Sequence, residues 1–117
     1  MASCLALSTL IKHKLSGVNV DVAIKGNIVG GMNAAFAKQA DLQLIEWTDD
    51  VVAQHDAVIL VDTQPHFANS PLPPDFMPTV VVDHHRSLHR RPTCQFCDLR
   101  ADVGATGSII FSYFMEL

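Results

Sequence analysis

The sequence predicts an α/β domain with a doubly wound, mainly parallel sheet flanked by helices. Two short apolar runs, 57–61 and 80–82, have the composition of strands that are buried on both faces. Segments with strand periodicity alternate along the chain with segments of helical periodicity, as parallel crossover connections require. Hydrophobic residues make up 49% of the 117 residues, which is enough for one sizeable core. We therefore expect a single domain over 1–117.

A helix is predicted first, over 2–15, because leucines and an isoleucine surround most of its circumference and Gly17 follows as a C-terminal cap. We expect it to be a buried helix that covers the sheet. Its apolar pattern is already under way at the first residue, without a capping Ser, Thr, Asp or Asn before it. That start suggests a chain cut from a longer protein.

A period-two strand is predicted at 18–24 and a short helix at 32–38. The glycines between them lack the spacing of a dinucleotide fingerprint and the lysine of a P-loop, so we interpret 26–31 as a loop. The next strand is predicted at 42–47. Thr48 then caps a helix whose first turn carries two aspartates, which are favourable at a helix N-terminus.

The second half of the chain holds the two apolar runs, separated by a loop over 64–78 that contains five of the six prolines. After the second run we predict a basic loop at 86–92 and a strand at 93–99. A final helix opens at 104–108, where Gly, Ala and Thr precede an apolar pattern of helical spacing. No segment suggests a second complete domain.

The net charge of −4 gives no global attraction for nucleic acid, but the positive charge is unevenly placed. All four arginines lie in one short segment, at Arg86, Arg90, Arg91 and Arg100. Solvated loop arginines are one interpretation of this cluster. The other is an anion site, because guanidinium groups bind phosphate through paired hydrogen bonds.

The three cysteines do not form a disulfide framework, so the reducing cytoplasm is the expected compartment. Cys94 and Cys97 have the Cys-x-x-Cys spacing of a zinc site or a redox pair. A zinc ribbon needs a second ligand pair at matching spacing, which the sequence lacks, so we favour a plain strand there. No stretch approaches the roughly 20 apolar residues of a membrane span, and the N-terminus lacks a basic signal-peptide region.

Each of the two apolar runs ends in a carboxylate. Asp62 follows the first run, and Asp83, His84 and His85 follow the second. Ligands bind beyond the carboxyl ends of parallel strands, so these side chains should meet at one edge of the sheet. Carboxylate and imidazole groups suit Mn²⁺, Mg²⁺ or Zn²⁺. Loop histidines held only by hydrogen bonds are the structural alternative.

The two histidines should divide their roles, because adjacent side chains of a regular strand point to opposite faces. If one of them binds the metal, the other can contact a phosphate or act as a general acid. The sequence therefore predicts a metal-assisted phosphate site.

An apolar strand ending in Val61-Asp62-Thr63, a second ending in Asp83-His84-His85, and a Gly104-Ala105-Thr106 that opens a helix together resemble the DHH phosphoesterase superfamily. The resemblance runs from the first helix to Leu117. Members of this superfamily include RecJ-like exonucleases, nanoRNase-type enzymes, cyclic dinucleotide phosphodiesterases and type II pyrophosphatases. It implies a hydrolase that cleaves phosphodiester or phosphomonoester bonds in short oligonucleotides or nucleotides.

The resemblance also implies a role for each residue. Asp62 would be shared between two Mn²⁺ ions, with Mg²⁺ or another divalent cation as a substitute, and His84 would bind one of them. Asp83 would orient the site from behind the ligands. His85 would be the catalytic residue, acting with Arg86 on the phosphate or leaving oxygen. Gly104 and Thr106 would bind substrate at a helix start.

The chain also departs from that family. Its strand with a His-x-x-x-Asp-x-Asp motif would precede residue 1, and a further aspartate and the smaller substrate-binding domain would follow residue 117. We therefore expect a partial DHH-type domain whose longer parent is the enzyme. The alternative is a non-catalytic nucleotide-binding or regulatory module on the same scaffold. A homo-oligomer is compatible with the sequence, and a membrane partner is not expected.

Overall fold

The structure is a computed structural model that describes residues 1–28, 30–73, 75–87 and 92–117. Helices and strands alternate along the first half of the chain, and three strands then follow one another before the last helix. In chain order they are α1 (Ala2–Lys14), β1 (Val22–Ile24), α2 (Gly31–Gln39), β2 (Leu44–Glu46), α3 (Asp49–Ala53), β3 (Ile59–Val61), β4 (Val80–Asp83), β5 (Phe96–Leu99) and α4 (Thr106–Met115). The predicted elements are all present, and most strands are shorter than the sequence suggested.

Every strand pairing in the described residues is parallel, which confirms the α/β class. The strands form two sheets rather than one. One sheet has the order β1-β2 and the other has the order β3-β4-β5. In the second sheet Val81 lies between Leu60 and Cys97 of the neighbouring strands.

A cleft of about 330 Å³ separates β1 from β3, and residues of both strands line it. Helix α1 forms part of its wall through Leu7 and Ile11. The described residues contain no pairing between β1 and β3, so each of these strands turns one edge toward the cleft. Edges of this kind carry unpaired backbone donors and acceptors.

The core lies on both faces of the three-stranded sheet because side chains alternate along β4. Val81 is fully buried in a cluster with Leu60 and Leu72. Val82 packs on the opposite face against Ile109 and Ile110 of α4. Full burial of an aliphatic side chain contributes roughly 1.5–3 kcal/mol, so this alternation fixes β4 firmly between two layers.

Helix α1 packs against α4 and contacts β1. It is less buried than the sequence suggested, since Ser8 and Leu10 are its only buried residues. Part of its surface forms the cleft wall instead. No helix in the described ranges is long and apolar enough to cross a membrane.

The predicted N-cap of α3 is confirmed. The side chain of Thr48 accepts a hydrogen bond of 3.2 Å from the backbone N–H of Val51, and Asp49 and Asp50 occupy the first turn. His55 follows this helix and links it to the chain before β1. One ring nitrogen of His55 lies 2.6 Å from the carbonyl of Val51, and the other lies 3.0 Å from a carboxylate oxygen of Asp21.

Candidate metal centre

The two strand ends that carry the predicted ligands meet at one edge of the three-stranded sheet. The backbone N–H of Asp62 donates a 3.0 Å hydrogen bond to the carbonyl of Val82, which aligns the end of β3 with the end of β4. Nε2 of His84 lies 3.6 Å from Oδ1 of Asp62. The meeting of these side chains, on which the metal-site hypothesis depended, is therefore observed.

Asp62 adopts a left-handed backbone conformation, with φ of 65°. This region is unfavourable for most L-residues, and aspartate and asparagine are among the few that tolerate it. The turn ends the strand at Val61 and leaves the Asp62 side chain half exposed at the sheet edge. The left-handed turn at Asp62 therefore places a half-exposed carboxylate directly after an apolar strand.

His84 and His85 lie side by side, with ring centroids 4.2 Å apart. We expected opposite directions from strand geometry, and that expectation is wrong. Strand β4 ends at Asp83, so the two histidines are not part of a regular strand and their rings can turn to the same side. The ring of His85 also makes an edge-on contact with Phe67, at a centroid distance of 5.9 Å.

Asp83 is fully buried and holds the His85 ring in place. Its Oδ1 lies 2.8 Å from Nδ1 of His85, which assigns the proton to Nδ1 and leaves the lone pair on Nε2. Metal-binding histidines commonly donate their second ring N–H to a carboxylate in this way. The orienting role of Asp83 that the resemblance implies stays a prediction.

Asp62, His84 and His85 each present one ligand atom, and the three atoms lie within 4.8 Å of one another. Ligand bonds to Mn²⁺-like or Zn²⁺ cations are about 2 Å long, so ligand atoms around one ion lie up to about 4 Å apart. Small side-chain rotations would bring all three ligand atoms within that distance of one another. The donor set therefore fits a divalent cation.

Thr106, predicted to bind substrate, is buried and donates a 2.7 Å hydrogen bond to Oδ1 of Asp62. It begins α4, and this bond fixes the orientation of the carboxylate. Gly104 lies two residues earlier, in an exposed stretch before the helix. The Gly-Ala-Thr segment thus contacts the Asp62 carboxylate through Thr106, and its substrate-binding role stays a prediction.

Sequence reasoning missed Gln64, which is 2% exposed and connects three groups. Its amide nitrogen donates to Oδ2 of Asp83 at 2.7 Å and to the carbonyl of His85 at 3.0 Å. Its amide oxygen accepts a 2.7 Å bond from the hydroxyl of Ser87. A glutamine after Asp62 carries no motif signal, so only the contacts reveal its role.

The arginines separate into different environments. Arg86 is exposed and follows His85 in the sequence. Arg90 and Arg91 lie outside the described residues. Arg100 instead forms a paired interaction with the carboxylate of Asp98, at 2.9 and 2.8 Å.

Asp98 joins β5 to α4, since it also accepts a 2.6 Å hydrogen bond from the hydroxyl of Tyr113. The bonds from Arg100, and secondarily from Tyr113, hold the pKa of Asp98 below its usual value. Burial raises the pKa of Tyr113, and its bond to Asp98 raises it further. Arg100 is therefore a structural residue and does not belong to a phosphate site.

The cysteines lie in two places. Burial raises the pKa of the Cys4 thiol, which lines the cleft near Asp62. Cys94 and Cys97 are bonded to each other, a disulfide that was not predicted from the sequence. Within the described residues no metal cluster includes them.

Comparison with known proteins gives one relative and no assigned function. The chain is 32% identical, over 119 aligned positions, to an uncharacterized protein of Methanocaldococcus jannaschii. The alignment covers 100% of this chain and 23% of that protein, so the chain spans about a quarter of the length of its relative. No protein-family model matches the chain. No solved structure matches it either.

Proposed function

We propose that this chain is the metal-binding part of a Mn²⁺-dependent phosphoesterase of the DHH type. The observation that carries the proposal is the convergence of Asp62, His84 and His85, whose ligand atoms lie within 4.8 Å of one another. Its substrates would be short oligonucleotides, nucleotides or other phosphate esters. A bound divalent cation would supply charge stabilisation at the phosphate and would lower the pKa of an attacking water.

The residues around the cluster support this proposal. Thr106 and Asp83 each hold one member of the cluster by a hydrogen bond, at 2.7 and 2.8 Å. Partners of this kind fix ligand orientation and are costly to remove from metal sites.

Arg86 supplies the positive charge that a phosphate requires next to the cluster. Its side chain is exposed and follows His85 directly in the sequence, so it is accessible to an anion at the cluster. His85 keeps its Nε2 lone pair, because Nδ1 is committed to Asp83. His85 would therefore bind the cation through Nε2, and the guanidinium group of Arg86 would contact the phosphate.

Three protein ligands are fewer than a two-metal site requires. The resemblance implies that a strand with an Asp-x-Asp motif supplies the others. The cleft between β1 and β3 lies beside Asp62 and has an unpaired strand edge on each side. A strand placed there would end next to Asp62, since ligands of parallel sheets gather at one set of strand ends.

The test measures Mn²⁺ binding and hydrolysis separately. Electron paramagnetic resonance should detect Mn²⁺ binding to the chain and its loss in Asp62→Asn, a variant that tolerates the left-handed backbone. Glu46→Gln, on an exposed residue of β2, is the matched control and should bind as the wild type does. Equal binding by wild type and Asp62→Asn would refute the metal site.

Hydrolysis is then assayed with Mn²⁺ on short RNA, a cyclic dinucleotide, 3′-phosphoadenosine 5′-phosphate and pyrophosphate. The same panel is given to the longer archaeal relative. Turnover of one substrate that the Asp62→Asn change abolishes supports the phosphoesterase. Binding of a nucleotide without turnover by either protein supports the non-catalytic module in its place.

A further inference from the structure

Cys94 and Cys97 lie at the beginning of β5, away from the metal cluster. Cys97 is the second residue of that strand and is opposite Val81 of β4, whereas Cys94 precedes the strand. Their Cα atoms are 6.3 Å apart, a separation that a disulfide spans. Both sulfur atoms also lie 3.6 Å from the carbonyl oxygen of Pro92.

The position of β5 does not depend on this bond. The backbone N–H of Phe96 donates to the carbonyl of Thr79 at 3.0 Å, and that of Arg100 donates to the carbonyl of Asp83 at 3.1 Å. These contacts, together with the ladder between β4 and β5, hold both ends of the strand. The disulfide can therefore open while the strand stays in place.

A bond between residues so close in sequence closes a very short loop. Stabilisation by a disulfide comes mainly from restricting the unfolded chain and grows with loop length, so this pair contributes little as a structural staple. In the open form the carbonyl of Pro92 offers both thiols an acceptor at 3.6 Å. The backbone around Cys94 and Cys97 is thus compatible with both the dithiol and the disulfide form of the pair.

Solvent reaches the pair. Cys94 and Cys97 are both partly exposed, and the neighbouring Gln95 and Phe96 are exposed, with Phe96 at 59%. Exposure of a Cys-x-x-Cys pair is the condition for exchange with small thiols and disulfides, and this spacing lowers thiol pKa values in redox proteins. Cys4 is also partly exposed, but burial raises the pKa of its thiol, which lowers its reactivity as a thiolate.

We propose that Cys94 and Cys97 form a reversible thiol–disulfide exchange site for low-molecular-weight disulfides and dithiols. In closing, the thiolate of one cysteine attacks a disulfide RSSR, forms a mixed disulfide and releases RS⁻. The second cysteine attacks the mixed disulfide, forms the Cys94–Cys97 bond and releases a second RS⁻. The two protons lost by the cysteines convert the two leaving groups to RSH, so two electrons pass from the pair to RSSR.

The change is local, because β5 keeps its own hydrogen bonds. The disulfide joins Cys94 to Cys97 at the start of the strand, and reduction removes this link between β5 and the residues before it. Residues 92–95 come after His85 and Arg86 in the sequence. The redox state would therefore alter the exchange of backbone amides at 93–95 and leave those of β4 unchanged.

The experiment counts thiols in the whole chain. The reduced protein is incubated with excess oxidised glutathione, quenched in acid, denatured and alkylated with a maleimide before mass spectrometry. One alkylated cysteine, Cys4, is expected, with a Cys94–Cys97 linkage in the peptide map, and dithiothreitol should restore three. Three alkylated cysteines after oxidation would overturn the proposal.

Variants separate this site from other thiol chemistry. Cys97→Ser should stop at a mixed disulfide between Cys94 and glutathione, and Cys4→Ser should behave as the wild type does. Far-UV circular dichroism should show the same fold with and without dithiothreitol. Unfolding on reduction would identify a structural disulfide and overturn the proposal, and neither readout depends on Mn²⁺.

Discussion

The hydroxyl of Thr106 donates a 2.7 Å hydrogen bond to Oδ1 of Asp62, across 44 residues of sequence. The donor begins α4 and the acceptor ends β3, so the bond connects the helix layer with the sheet edge. Thr106 is 1% exposed, and its hydroxyl has no competing solvent. The carboxylate is therefore presented to a ligand in one orientation.

Removal of this hydroxyl should weaken Mn²⁺ binding. Thr106→Val keeps the side-chain shape and deletes the donor, so we expect a loss of about 10-fold in affinity or more, as for other residues that orient metal ligands. Isothermal titration calorimetry with Mn²⁺ measures the change. Thr106→Ser retains the hydroxyl and is the control. An unchanged affinity in Thr106→Val would show that the bond does not position the carboxylate.

Gln64 should be important for stability. Gln64→Leu removes the amide donor to the buried Asp83 carboxylate, and loss of a hydrogen bond to a charged group costs about 2 kcal/mol. Urea denaturation should show the decrease as a lower midpoint with the same slope. Gln39→Leu, on an exposed residue at the end of α2, is the control. Equal midpoints for Gln64→Leu and wild type would contradict the role.

His55 should make stability depend on pH. The carbonyl of Val51 and the carboxylate of Asp21 both accept from its ring, which favours the doubly protonated form and raises the pKa of His55 above 6.5. A raised pKa in the folded state stabilises the protein below pH 6.5, and this contribution is lost as the pH rises through the folded-state pKa.

Replacement of His55 by Gln should therefore destabilise the protein by ~0.5 kcal/mol at pH 6, because the pair is close to the surface. The difference from wild type should shrink towards pH 9. Thermal unfolding at several pH values measures it. Asp21→Asn removes the second partner and should flatten the pH dependence only in part, because the bond to the Val51 carbonyl remains. A difference that stays constant with pH would exclude this origin.

Asp98 should show the opposite pH dependence. Its bonds from Arg100 and Tyr113 lower its pKa, so its contribution is present above pH 3.8 and is lost as the pH falls through the folded-state pKa. Asp98→Asn should lower the free energy of unfolding by about 1 kcal/mol at pH 7, since the Asp98–Arg100 pair is only partly shielded from solvent.

The difference in free energy of unfolding between Asp98→Asn and wild type should disappear below pH 3.8. Urea denaturation across the acid range measures it. Arg100→Lys keeps the charge and loses the paired geometry, so it should retain only part of the stabilisation. A gap that persists in acid would mean that the asparagine disturbs packing instead.

Much of the fold follows from local chemistry that a sequence displays. Apolar runs before Asp62 and Asp83 indicated buried parallel strands, and Thr48 with two following aspartates indicated a helix start. Both features depend on residues close together along the chain. The edge at which Asp62 and His84 meet was also predictable, because parallel strands place their carboxyl ends together.

The contacts that sequence reasoning missed depend on where a strand stops. The strand ends at Asp83, one residue before the histidines, and this single-residue boundary turned their rings to one side. The role of Gln64 depends on a contact made 19 residues away with Asp83. The division into two sheets reflects the absence of pairing between β1 and β3, which no local pattern encodes.

The left-handed backbone at Asp62 limits which amino acids can occupy that position. Glycine, asparagine and aspartate fit the conformation with little penalty, whereas a β-branched residue there would be severely strained. A saturation library selected only for folded abundance should therefore keep all three. Selection for metal-dependent turnover should keep aspartate alone, and the contrast between the two enriched sets would separate the demands of the backbone from those of the chemistry.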